Sequence, residues 1–242
     1  MVNLIKSNTI HSISTYDFDN LFTSIPINSL KDVLMKILDL VLNDIDFDPE
    51  LFYKLCNFCL QNNYINTGSK IYVQINGIGM GTSYSSTAAN LFLFFHELQY
   101  RNSSINDNSF FAYRYIDDLI VLNLVTDFID IAKLIYPDCL KLNRTNYNKF
   151  SAEFLDLNIS INNALAISVY DKRNNFNFKV NQFIHWSSNM HKHIYINIII
   201  GQIYRFFRIC SNRELFQKEL FYFCSKLFYN NCLPLNFIKK IL

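Results

Sequence analysis

The stretch FFAYRYIDDLIVLN, from Phe110 to Asn123, constrains the fold more than any other part of this chain. Two runs of apolar and aromatic residues flank the adjacent acids Asp117 and Asp118. The pattern reads as two short buried strands joined by a turn that carries both carboxylates. Neighbouring anions at the mouth of an apolar hairpin repel each other and lose hydration, so they persist most readily where a bound cation offsets both costs. The plain alternative is an Asp-Asp hairpin turn without chemistry. The rest of the chain decides between the two.

A third acid comes from far upstream. In STYDFDNLFTSIP, Asp17 stands at the end of a strand expected to close near Tyr16–Phe18. A strand ending in an acid, together with a turn bearing two, is the smallest device that brings three distant carboxylates to one sheet edge. Such a trio can hold two divalent cations about 3.5 to 4 Å apart, one activating an attacking hydroxyl and the other steadying the leaving oxygen. Mg²⁺ suits the task, because its oxygen shell is shared readily between carboxylates and phosphates. Two Mg²⁺ ions and nucleotidyl transfer are therefore expected.

Between these acids the spacing predicts a helix after Pro26, capped by Asn28 or Ser29, and a second helix with Asp48 as cap and Pro49 as its first residue. Tyr64–Ile65 and Ile71–Ile75 flank Thr67-Gly68 as a hairpin. NGIGMGTSYSSTAANLFLFFHELQY is a Gly-rich turn running into a long apolar helix. A helix over about 125–136 follows the acidic hairpin. Beyond Pro137 come short strands in KFSAEFLDLNISI and ALAISVYDK with Asn162-Asn163 as the turn between them, and from Met190 onward helices.

Composition sets limits on this scheme. Half the residues are hydrophobic, including 23 Phe and 15 Tyr, which excludes a disordered tail. Residues 189–242 carry eight Lys or Arg against Glu214 and Glu219, while residues 1–100 carry nine acids against five Lys. A basic end on an acidic chain suits a polyanion-binding subdomain, and equally a solvated helical face. The six Cys have no zinc-ligand pattern beyond the lone pair Cys56 and Cys59, so reduced thiols in an intracellular protein are expected. The apolar runs Leu91–Phe95 and Ile194–Ile200 are too short to span a bilayer, and no membrane partner is expected.

YDFDNLFTSIP, GMG leading into a helix with Ala89-Asn90, and YIDD, in that order, resemble the palm motifs of reverse transcriptases. The likeness is greatest to Penelope-like retroelements, whose relatives include telomerase. FLDL, VYDK and WSSNMHKH resemble later pieces of the same subfamily, so the resemblance covers residues 16 to about 211. It implies an α+β fold: a right-hand polymerase palm, an antiparallel sheet backed by helices, over residues 1–182, and a helical thumb over 183–242. It also implies RNA-directed DNA synthesis on an RNA or DNA template with primer, with dNTPs as substrates. A nuclear location would follow for a eukaryotic retroelement.

Carried across residue by residue, the resemblance gives Asp17, Asp117 and Asp118 the catalytic and metal-binding roles, with the Phe18 carbonyl as a further ligand. Asp19 falls where the family needs no acid. Phe22, Met80 and Gly81 are the nucleotide contacts, with Gly79 beside them; the ring of Phe22 would exclude a 2′-hydroxyl and so favour deoxynucleotides. Where Gly79 and Thr82-Ser83 stand, the family usually has Pro and Ser-Pro. Tyr115, Phe154 and Leu155 are the primer contacts, and Lys141 or Lys149 is the general acid for pyrophosphate. The fingers region that family members place before the first acid is largely missing from the 16 residues ahead of Asp17. A separate fingers-containing chain would complete the enzyme, or the chain is a fragment, or it is a non-catalytic nucleic-acid-binding remnant. An RNA-dependent RNA polymerase is a third reading, against which Phe22 speaks.

Overall fold

Strand β1, Ile13–Asp19, is buried along most of its length, and its sequence ISTYDFD places Tyr16 and Phe18 on one face and Asp17 and Asp19 on the other. The computed structural model describes residues 9–41, 48–103, 110–162, 164–178 and 180–242. They form two compact units, Ser14–Tyr147 and a second made of the residues up to Ile13 with Asn148–Leu242.

In the first unit β1 lies inside a four-stranded sheet of order β4-β5-β1-β6, with β4 at Phe111–Tyr115, β5 at Asp118–Leu122 and β6 at Lys141–Arg144. β4 pairs antiparallel with β5, Tyr115 opposite Asp118, and β1 pairs antiparallel with β6, Asp17 opposite Asn143 and Asp19 opposite Lys141. One sheet face is covered by helices. Tyr16, Phe18, Leu119 and Val121 form a single core with Leu30 and Val33 of α2 (Ile27–Val41), Leu60 of α3 (Pro49–Gln61), Phe92 of α4 (Ser85–Asn102) and Phe128 of α5 (Phe128–Ile135). A short helix, α1, covers Leu21–Ser24 directly after β1. Strands β2 (Tyr64–Asn66) and β3 (Ile71–Val73) make a separate exposed ribbon.

Among the described residues the expected helices and strands are present, with two differences. Helix α2 starts at Ile27, and the Pro26 carbonyl already accepts from the Leu30 amide at 2.9 Å, so Asn28 and Ser29 lie inside the first turn instead of capping it. The Asp48 cap does form, its carboxylate accepting from the Glu50 and Leu51 amides at 2.9 and 3.2 Å. Strand β6 is new: KLNR has no apolar alternation, and only its pairing with β1 makes it a strand.

The second unit holds an antiparallel meander, β7 (Ser151–Phe154), β8 (Leu157–Ile161) and β9 (Leu165–Val169). KFSAEFLDLNISI thus folds back on itself at Leu155, whose φ is 56°. Asn163, half of the expected next turn, lies outside the described residues. Three helices follow: α6 (Lys192–Ile209), α7 (Arg213–Asn231) and α8 (Leu235–Ile241), around Tyr195, Ile199, Phe206, Phe223, Leu227 and Ile238. The meander therefore belongs to the same compact unit as the helical tail.

Asp171, after β9, accepts from Arg173 Nε at 2.7 Å and lies 3.5 Å from Lys226 Nζ on α7, its side chain 17% exposed. Burial pushes its pKa up, but the Arg173 hydrogen bonds and the charges of Arg173 and Lys226 outweigh that and hold it below the usual value. A depressed carboxylate stabilises the folded state above the unfolded pKa, and that gain is lost as pH falls through the folded one. Asp171→Asn should lower the thermal midpoint at pH 7, and the deficit should fade as pH drops below about 3.9, the ordinary aspartate pKa. Melting curves of both proteins from pH 7 to pH 3 check this.

Candidate active site

The acidic turn is fixed to β1 through the backbone. The Phe18 amide donates to the Asp117 carbonyl at 3.3 Å, so the turn Tyr115–Asp118 abuts the strand that carries Asp17. Strand alternation puts Asp118 on the face away from Leu119 and the helices, as it puts Asp17 away from Tyr16 and Phe18. Asp17, Asp117 and Asp118 are all half-buried. Tyr115 is 57% exposed beside them. On the core side β1 is anchored by the Tyr16 hydroxyl, which donates to Asp127 Oδ1 at 2.9 Å and accepts from the Phe128 amide at 3.2 Å, where Asp127 caps α5.

The Gly-rich loop is fastened to the residues just after β1. The Ile78 amide donates to the Phe22 carbonyl at 2.7 Å, and Ile78 is fully buried. Gly77 makes this approach possible: its φ is +73°, and a Cβ there would lie 2.4 Å from Thr23 Cα and 2.7 Å from the Phe22 oxygen. Gly79 packs on Asn63, with 2.8 Å left between a notional Cβ and Asn63 Oδ1. Tyr84 donates to that same Asn63 oxygen at 2.9 Å, and the Ser85 hydroxyl donates to the Gly79 carbonyl. Gly81 (φ +84°) faces open space and Met80 is 65% exposed, so the loop presents its tip outward while its base is pinned. The Phe22 ring packs partly against the core.

Arg114 on β4 is buried to 10% side-chain exposure, and its guanidinium is held by hydrogen bonds, as a buried cation requires. Nε and Nη2 grip Glu97 of α4 at 2.6 and 3.1 Å, while Nη1 donates to Asn90 Oδ1 at 2.7 Å and to the Ile116 carbonyl at 3.0 Å. Tyr136 donates to Glu97 at 2.8 Å, and burial together with the Glu97 charge pushes the pKa of that phenol well up. Ile116 itself has φ 55°, a left-handed conformation that a β-branched residue rarely adopts.

The structure thus sets the backbone that carries Asp17 beside the turn that carries Asp117 and Asp118, with Tyr115 paired opposite Asp118, and joins Phe22 to the base of the loop that carries Met80 and Gly81. Phe18 points its ring into the core, leaving only its backbone for other contacts. Lys141 is opposite Asp19 on β6. In the second unit Phe154 is buried at 3% exposure, and Leu155 is 39% exposed at the β7–β8 turn. Among the described residues no three His, Cys, Asp or Glu side chains are gathered closely enough to hold a metal ion. The oxygens of Asp17 and Asp117 are nevertheless the hard donors that Mg²⁺ takes, and they extend from neighbouring backbones.

Sequence reasoning missed Gly77, Asn63, Glu97 and Arg114, and it named Asn90 in the helix after GMG without its bond to Arg114. The Asn76-Gly77 pair is a turn signal in its own right. A lone arginine inside an apolar strand signals a buried partner, without saying which.

Comparison with known proteins gives partial similarities. The family model of the animal helix-turn-helix domain matches residues 182–242. No curated protein sequence matches the chain. Among solved structures, apo telomerase from Candida tropicalis is similar at 13% identity, with 65% of this chain and 32% of that one covered and a TM-score of 0.47. Telomerase from Candida albicans in complex with a fragment of telomeric RNA has 12% identity, covering 83% of this chain and 36% of that one, at a TM-score of 0.48. The corresponding Candida tropicalis complex has 12% identity over 99% of this chain and 38% of its own, at 0.47. The chain spans about a third of the length of these telomerase chains. No helix among the described residues is long and apolar enough to cross a membrane.

Gly77→Ala should lower stability by at least about 1–3 kcal/mol, since the new methyl meets backbone and the φ is unfavourable. Gly81→Ala meets no atom and should cost only the conformational part, about 1–2 kcal/mol. Denaturant midpoints of the two variants separate these outcomes.

Proposed function

We propose that the chain is the palm of a reverse transcriptase, of Penelope-like retroelement origin, that adds deoxynucleotides to a primer 3′-hydroxyl opposite a nucleic-acid template. The observation that carries this reading is the backbone adjacency of Asp17 and the Asp117-Asp118 turn on an antiparallel sheet whose other face is packed by helices. That is the placement the ordered motifs YDFDNLF, GMG and YIDD require.

Asp17, Asp117 and Asp118, with the Phe18 carbonyl, would hold two Mg²⁺ ions, reached by rotation of side chains on backbones already in place. Bound there, the ions supply charge for the attacking and leaving oxygens. The protein's own part is positional. Tyr115 lies exposed beside the acids where a primer end would rest, and Met80 and Gly81 present a loop tip to the incoming nucleotide. Phe22, five residues after Asp17, is held by the bond from Ile78 to its carbonyl, so its ring can act as a rigid barrier to a ribose 2′-hydroxyl. Lys141, across from Asp19 on β6, is the better placed of the two candidate acids for pyrophosphate, because it lies at the Asp17 end of β1, whereas Lys149 meets the other end, its carbonyl accepting from the Ile13 amide at 2.8 Å. Phe154 would serve a primer through its backbone and Leu155 through its side chain.

A second reading has its own support. Helices α7 and α8 are joined by a tight turn in which Cys232 is left-handed (φ 55°), the Leu233 amide bonds back to the Leu227 carbonyl at 3.1 Å, and α8 ends in Lys239 and Lys240. With the helix-turn-helix family match over 182–242, this favours nucleic-acid binding by the tail whether or not the first unit is catalytic. A non-catalytic binding remnant would keep this activity alone.

Primer extension on RNA and DNA templates separates the two. Asp117→Asn should cut extension by roughly a thousandfold, the loss of several kcal/mol of transition-state charge stabilisation, while primer–template binding stays measurable. Undiminished extension in that variant overturns the metal assignment. Phe22→Val should raise ribonucleotide use relative to deoxynucleotide use by roughly tenfold or more, the scale on which a pocket discriminates by shape. An unchanged ratio sinks the sugar-gate role and reopens the RNA polymerase reading.

A further inference from the structure

We propose that Arg114 is a positioning residue for the acidic turn, a clamp that sets where Asp117 and Asp118 stand relative to Asp17. The turn needs such a device. Ile116, immediately before Asp117, is held at φ 55°, and a β-branched side chain in that region is strained. Left to itself the turn would relax toward an ordinary conformation, and the Asp117 carbonyl would swing from the Phe18 amide.

The guanidinium opposes this. Nη1 donates to the Ile116 carbonyl at 3.0 Å, across the strained residue, and to Asn90 Oδ1 at 2.7 Å. Nε and Nη2 hold Glu97 in a fork, and the Tyr136 hydroxyl donates to the same Glu97 Oε1 that Nε holds. Asn90 and Glu97 are seven residues apart on α4, two turns of one helix face, so both anchor points move as one rigid body. The turn is thereby referenced to α4, the helix that the Gly-rich loop runs into. A single planar cation spans four acceptor oxygens on a helix and a turn, which only the fixed fork of arginine can do. Lysine keeps the charge and cannot bridge them.

The structural half of this inference stands on geometry alone, and its catalytic half rests on the polymerase reading. The test uses the full chain with Arg114→Lys. Hydrogen exchange should speed up by about tenfold or more at the amides of residues 116–119 while those in α2 and α5 keep their wild-type rates. In primer extension kcat should fall, the Mg²⁺ concentration for half-maximal rate should rise, and KM for the nucleotide should hold, a split that general loosening of the fold does not produce. Unchanged exchange at the turn, or equal acceleration throughout the unit, overturns the clamp. If Arg114→Lys does not fold, Glu97→Gln carries the same comparison, since it loosens the guanidinium without removing it. A wild-type chain that extends no primer counts against the polymerase reading, and the exchange comparison then decides the clamp by itself.

Discussion

The hydrogen bond from the Phe18 amide to the Asp117 carbonyl joins two segments that are far apart in sequence and carry all three candidate acids. It is a weak link to bear so much, at 3.3 Å, and the surrounding structure compensates. On one side Tyr16 is tied to the start of α5 and Phe18 stacks edge-on against Tyr136 at 4.9 Å. On the other, the Arg114 network holds the turn. Tyr136 takes part in both, through its ring on Phe18 and its hydroxyl on Glu97, so the apolar core and the polar network meet in one side chain.

This arrangement explains how a sheet can carry anions beside an intact core. Strand alternation sends Tyr16, Phe18, Leu119 and Val121 into one continuous apolar cluster, and the residues between them to the opposite side. Burial of the first set stabilises the backbone on which the second set is mounted. The hairpin that carries Asp117 and Asp118 is anchored by other groups, which offsets the cost of placing the two acids side by side. The Gly-rich loop follows the same logic: its base is fixed by Gly77 against Thr23 and by Asn63 and Ser85 around Gly79, and its tip at Met80 and Gly81 is exposed.

The second unit is built differently. Its meander turns at Leu155 beside Asp156, whose carboxylate is held by Arg205 of α6 at 3.1 Å, and Asp171 is held by Arg173 and by Lys226 of α7. Acid–base pairs thus tie the strands to the helices that the sequence marks as basic. Two of the eight cations that gave the tail its charge, Arg205 and Lys226, are thus engaged within the unit, while Lys239 and Lys240 stand exposed at the end of α8.

Much of the candidate site was legible in the residues themselves. Local chemistry determined the acidic hairpin, because apolar runs around two acids leave few alternatives, and it determined the Asp48-Pro49 helix start and the break after the GMG loop, where glycine and capping preferences act over a few bonds. The tertiary structure alone decided what those pieces meet. KLNR became a strand only because β1 offered it an unpaired edge, Gly77 mattered only because Thr23 lies against it, and Arg114 found Asn90, Glu97 and the Ile116 carbonyl only once α4 packed on the sheet. Propensity and periodicity are properties of neighbours along the chain, whereas edge pairing, close approach and the satisfaction of a buried cation depend on groups that only folding brings within reach.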